Sequence, residues 1–142
     1  MRTRDIKQAI VANSEAIRQL HGRIRQTFRH RDESLAKWQE WEEAARDFHA
    51  TWNRLAFPGG YWTDATSNAL QRIVAGDQQA MEAAICFLEI RPYFFRSGYM
   101  FKDILKKAKK APLSEEQSAR LKIVLDNVEE WRRRKRHAVS PP

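Results

Sequence analysis

The chain carries one cysteine, Cys86, in 142 residues. That excludes an internal disulfide framework and a cysteine-rich zinc site. The four histidines, His21, His30, His49 and His137, lie far apart in the sequence, with no HxxxH or HExxH spacing. No Glu-x-x-His unit of the di-iron bundle type occurs, so no metal centre is expected. Glycine is scarce, and Pro58-Gly59-Gly60 is too short for a phosphate loop and lacks the following lysine. No run approaches the roughly 20 apolar residues of a membrane span. The N-terminus MRTRDIKQAI has no apolar core of a secretory leader. With a single cysteine as well, a reducing cytoplasm is the expected location. No serine is marked as a nucleophile, and Glu42, Glu43, Asp47 and His49 read as a solvated helix face rather than a catalytic cluster. The expectation is a non-catalytic protein without a cofactor, an unrecognised enzyme being the third reading.

What is abundant is apolar and aromatic: 42% hydrophobic residues, 11% of the chain aromatic. That is too rich for disorder, and the length suits one domain, residues 1–137, with 138–142 as a disordered tail. No segment alternates as a half-buried strand does, so the class is all-α. Residues 4–56 hold almost no helix breaker and carry a heptad repeat. Ile10, Ile17, Ile24, Trp38, Ala45 and Trp52 fall on one position, and Ile6, Leu20, Trp41, Phe48 and Leu55 on the other. Such a seam demands a covering partner helix, and Trp38, Trp41 and Trp52 are expected in the core. A single helix would span about 75 Å, longer than a domain of this size. A hairpin broken near residues 29–33, with Asp32 or Ser34 capping the second helix, fits better. Homo-oligomerisation through the seam is a further expectation.

The second half, residues 63–136, reads as a compact bundle of about four shorter helices. Thr63 or Asp64 is expected to cap a helix ended by Gly76, and Asp77 to cap the next, running to Ile90. Ser114-Glu115-Glu116-Gln117 is a capping box. Between these lies an aromatic hub at residues 86–101, CFLEIRPYFFRSGYMF. Pro92 stops the helix before it. Ser97 can cap the helix after it, or Gly98 can instead supply a backbone angle that a residue with a Cβ does not easily take. Cys86 is expected to be a buried small hydrophobe. Glu89, near a helix C-terminus, needs a cation, and Arg91, Arg96 or a more distant arginine can supply a structural ion pair.

The pattern FLE-x-x-P-x-FFRSGY over residues 87–99, with Leu55-Ala56-Phe57-Pro58-Gly59-Gly60 before it, resembles small bacterial helical proteins of unassigned function. The resemblance covers about a seventh of the chain. It implies a compact, all-helical, intracellular protein and no particular activity.

Charge then points to the ligand. The net charge is +8, and lysines crowd one helix at Lys102, Lys106, Lys107, Lys109 and Lys110. A second basic run ends the chain at residues 132–136. There Glu129 and Glu130 are placed to pair with Arg133 and Arg134, leaving Arg132, Lys135 and Arg136. Tyr61 and Trp62 beside the glycine loop, and Tyr93 and Tyr99 around the hub, are candidate interface rings. These residues together predict a helical module recognising an acidic macromolecule. A protein partner, in an adaptor, immunity or assembly role, leads. Sequence-nonspecific nucleic-acid binding is the alternative.

Overall fold

A computed structural model describes residues 2–62 and 68–139, with the side chains of residues 138 and 139 left aside. The protein is all-α. Six helices follow one another: α1 (Thr3–His30), α2 (Leu35–Leu55), α3 (Ala69–Val74), α4 (Gln78–Ile90), α5 (Ser97–Ala108) and α6 (Glu115–Val139). No described helix is long and apolar enough to cross a membrane.

The heptad segment folds as a hairpin, with the break where the seam turns polar. α1 ends at His30, and the Ser34 hydroxyl accepts a hydrogen bond from the Lys37 amide (3.1 Å) to cap α2. Ile6, Ile10 and Ile17 of α1 and Phe48 of α2 are buried as the heptads require. Trp38 departs from expectation: it is exposed, while Trp41 and Trp52 are half-buried. The reason is reach. The buried residues of α1 stop at Ile17, and α2 buries nothing before Ala44, so the far end of the hairpin projects beyond the bundle.

The molecule is built around α4. Residues 83–88 are all buried, together with Ala80 and Met81. A helix apolar on every side must be surrounded, and α4 packs against α1, α3, α5 and α6. The caps follow the sequence closely. Asp77 accepts from the Ala80 amide (2.8 Å), Gly76 ends α3 at φ +89°, and Ser114 and Gln117 exchange two hydrogen bonds of 3.1 Å. Thr63 and Asp64 lie outside the described residues; α3 is capped by Asn68, whose capping box with Gln71 sets its start. α6 runs to Val139, past the expected end at residue 136, and is longer than α2. The Phe57-Pro58-Gly59-Gly60 loop turns through left-handed Gly59 and Gly60, with Phe57 fully buried against Phe87. Arg72 ties this loop down by donating to both glycine carbonyls.

Candidate functional site

The corner between α4 and α5 turns on two arginines. Arg91 (φ +51°) and Arg96 (φ +69°) both adopt the left-handed conformation, which costs a residue with a Cβ roughly 1–2 kcal/mol. Gly98, the alternative for that role, lies inside α5 with ordinary helical backbone. Ser97 is the first helical residue, and its hydroxyl accepts from the Phe94 amide (3.0 Å) to close the turn from within. The hairpin holds the corner from behind. The Arg18 guanidinium donates to the Tyr93 carbonyl (2.6 Å), and the Trp52 indole to the Phe95 carbonyl (2.9 Å). His21 stacks on Phe95 with centroids 4.8 Å apart. With its carbonyls satisfied on the inside, the corner turns Tyr93 and Tyr99 outward, both largely exposed.

In front of the corner lies a groove of about 780 Å³, open to solvent, between the corner with α5 on one side and the end of α6 on the other. Phe94, Phe101, Leu105 and Val128, all buried, give it an apolar floor. Arg91, Arg96, Lys102, Arg132 and Lys135 stand around it, and no carboxylate lines it. None of these five cations takes part in an ion pair among the described residues. Three of them, Arg91, Arg96 and Lys135, meet rings instead. The Arg91 guanidinium sits 4.7 Å from the Phe101 ring and 5.0 Å from that of Trp131, and the Lys135 ammonium lies 5.0 Å from Trp131. Ring contacts of this kind orient a cation without neutralising it.

Two sequence regions flagged separately for charge and rings therefore meet: Tyr93, Tyr99 and Lys102 from the hub side, Arg132 and Lys135 from the last helix. Trp131, Arg91 and Arg96 complete the groove and were not among the expected interface residues. Their signal was present, since Trp131 and Lys135 are four apart on one helix face. Other candidates lie elsewhere. Tyr61 is buried against Trp52 (5.7 Å), and burial together with the charge of Asp103 raises its hydroxyl pKa, so it is a core residue and not an anchor. Trp62 is exposed. Lys106 is exposed on α5, Lys109 and Lys110 are exposed in the turn just past its end rather than on the helix, and Lys107 edges a small cleft with Leu70 and Val74. Arg136 is not one of the free cations: it lies 3.8 Å from Glu129, while Glu130 holds both Arg133 and Arg134.

Glu89 forms the expected ion pair with the more distant arginine, Arg120, and not with Arg91 or Arg96 of the corner. Arg120 of α6 reaches between Glu89 (2.6 Å) and Glu82 (2.8 Å) of α4, bonding each with two contacts. Lys7 adds a contact to Glu89 (3.3 Å), and Thr3 and Gln117 donate to Glu82. Arg91 and Arg96 turn the other way, to rings. Glu82 and Glu89 are seven apart on an otherwise apolar helix, a spacing that places both on one face. Hydrogen bonding from Arg120, against the cost of burial, holds the Glu89 carboxyl below its ordinary value. For Glu82 burial pushes upward, but bonds from Arg120, Gln117 and Thr3 outweigh it and the net direction is down. Beside them the buried Cys86 thiol is pushed up to about 11, by desolvation first and then by the charge of Glu82. A paired, half-buried cluster of this kind fastens α1, α4 and α6; it offers no free acid and no thiolate nucleophile.

The protein is an all-α bundle whose groove is lined by cations and aromatic side chains, with no carboxylate among its lining residues. Comparisons with protein families, curated proteins and solved structures find no match.

Proposed function

We propose that the protein is a non-catalytic binding module whose groove between the corner and α6 receives an acidic, extended segment of a partner protein, in an adaptor, immunity or assembly role. One observation carries this: five cations surround an apolar floor, with no carboxylate among the lining residues. Cations left uncompensated in this way favour an anionic ligand, and the floor favours an apolar side chain between its charges. Trp131 already carries two cations near its ring, which makes it a wall of the site rather than a vacant platform for a base. Arginine and tyrosine are also the residue types enriched where binding energy concentrates in protein interfaces. The buried, unpaired Cys86 suits a reducing compartment such as the cytoplasm.

Single-stranded nucleic acid is the second reading, favoured by the exposed rings of Tyr93 and Tyr99 next to the same cations. Calorimetric titration separates the two. The ligands are a Glu/Asp-rich peptide with one central leucine or tryptophan, and single-stranded DNA and RNA of equal charge, at roughly 50 and 200 mM salt. On the protein reading the peptide binds more tightly, and Trp131→Ala and Lys135→Glu weaken it at both salt concentrations. Tighter nucleic-acid binding that Tyr93→Ala and Tyr99→Ala abolish would transfer the groove to the second reading. Binding of either ligand that is indifferent to Arg91, Trp131 and Lys135 variants would remove the groove from consideration.

A further inference from the structure

Among the five cations of the groove, Arg91 stands apart in how it is held. It is the C-cap of α4, with its amide donating to the Phe87 carbonyl (2.8 Å) and its backbone left-handed at φ +51°. Glycine commonly fills that place at a helix end, because it meets no steric penalty there. A residue with a Cβ is strained, and strain of this kind concentrates where proteins hold ligands. What the side chain reaches offsets that strain. The guanidinium lies over Phe101 of α5 (4.7 Å) and over Trp131 of α6 (5.0 Å). No other groove cation meets two rings among the described residues: Arg96 lies over Phe95 and Lys135 over Trp131.

Three helices therefore fix the position of one guanidinium, and none of them supplies it with an acceptor. The Arg91 side chain makes no hydrogen bond and no ion pair among the described residues. Glu89, two positions before it, is committed to Arg120 and Lys7. Contacts with rings hold a guanidinium without using up its N–H donors. What remains is a planar fork of donors, fixed in place, on a residue exposed to solvent. Such a fork matches the two oxygens of a carboxylate, which a lysine ammonium meets only as a point charge.

We infer that Arg91 is the residue that selects the ligand: it receives one side-chain carboxylate of the incoming segment through two parallel N–H···O bonds. Lys102 and Lys135 supply attraction without direction. This rests on the proposal that the groove binds an acidic protein segment, and it adds that one acid of that segment counts for more than the rest.

Calorimetric titration of the full chain tests it. The probe is a peptide of glutamates around one leucine, which sets the register, with a series in which each glutamate in turn becomes glutamine. On the parent protein, one exchange should weaken binding about tenfold, and each of the others no more than about twofold. Arg91→Lys keeps the charge and loses the fork. It should bind the all-glutamate peptide about tenfold more weakly at roughly 50 and 200 mM salt alike, and should treat every exchange as mild. Arg91→Gly removes both strain and fork and should lose the same discrimination, so the result does not depend on one variant folding; circular dichroism checks both. A parent that treats all glutamates alike overturns the inference and leaves the groove as a site for acidic segments. So does an Arg91→Lys chain that binds more weakly but still singles out the same glutamate, since Arg91 would then only pack the rings. Failure of the parent to bind the all-glutamate peptide overturns both this inference and the proposed function.

Discussion

Replacing Arg120 with alanine removes the one cation that lies between two carboxylates of α4. The side chains of Arg120, Glu82 and Glu89 are 15%, 18% and 24% exposed. Breaking a fully buried pair from one side costs about 3–5 kcal/mol, because the partner charge is left without compensation. Here two carboxylates lose their main donor, but water can reach both, and Lys7, Thr3 and Gln117 remain as weaker partners. A cost of about 2–3 kcal/mol follows, which for a domain of this size lowers Tm by roughly 6–12 °C. Thermal melts at neutral pH measure it. Adding Glu82→Gln and Glu89→Gln to an Arg120→Met chain removes the orphaned charges and should recover much of the loss, since a whole pair is often replaceable at little cost. Glu89→Ala alone should cost less than Arg120→Ala, because Glu82 keeps its arginine. If Arg120→Ala melts within about 2 °C of the parent, the cluster is a surface ion pair of negligible worth, and the fastening of α1, α4 and α6 must be sought elsewhere.

Acid should act through the same cluster. Glu82 and Glu89 titrate below the ordinary 4.5 in the folded state, so their stabilisation is complete above that value and lost as pH falls through the lower folded values. Melting temperature should therefore drop below about pH 4.5, and the drop should flatten in Arg120→Ala. Ile17 is fully buried where α1 enters the core, and Ile17→Asp should unfold the chain or cost at least about 3 kcal/mol; an unchanged melt would make α1 a free arm. Arg91→Gly relieves a left-handed residue worth about 1 kcal/mol and forfeits ring contacts of similar size. Its Tm should stay near the parent's while affinity for an acidic peptide falls, separating binding from stability. Cys86, with its thiol at about 11 and no exposure, should resist iodoacetamide in the native protein and react fully in denaturant. Rapid native alkylation would contradict its burial.

Local rules written in the sequence settled the all-α class and most helix ends, and favoured the hairpin over a single long helix that the unbroken heptad register also allowed. The polar interruption at Thr27, Arg31 and Ser34 marks the hairpin turn, and Asp77, Gly76 and the Ser114–Gln117 box act within a few residues of themselves. Such signals depend on hydrogen bonds between near neighbours, which the order of residues specifies directly. The groove was half legible: each flank carried its charge and rings in the open, but their meeting required α6 to lie beside the corner. What only the tertiary structure decided were long-range partners. Glu89 chooses Arg120, 31 positions away, over Arg91 two residues on, because α6 packs against α4 while the left-handed backbone at Arg91 accompanies a side chain that lies on Phe101 and Trp131. Trp38 and Tyr61 were exchanged for the same reason. A heptad position predicts burial only where another element arrives to cover it, and none reaches Trp38, whereas a ring beside a glycine loop is buried when, as with Tyr61, Trp52 lies behind it. Periodicity fixes which face of a helix is apolar; the packing of the whole chain fixes how far along that face the core extends.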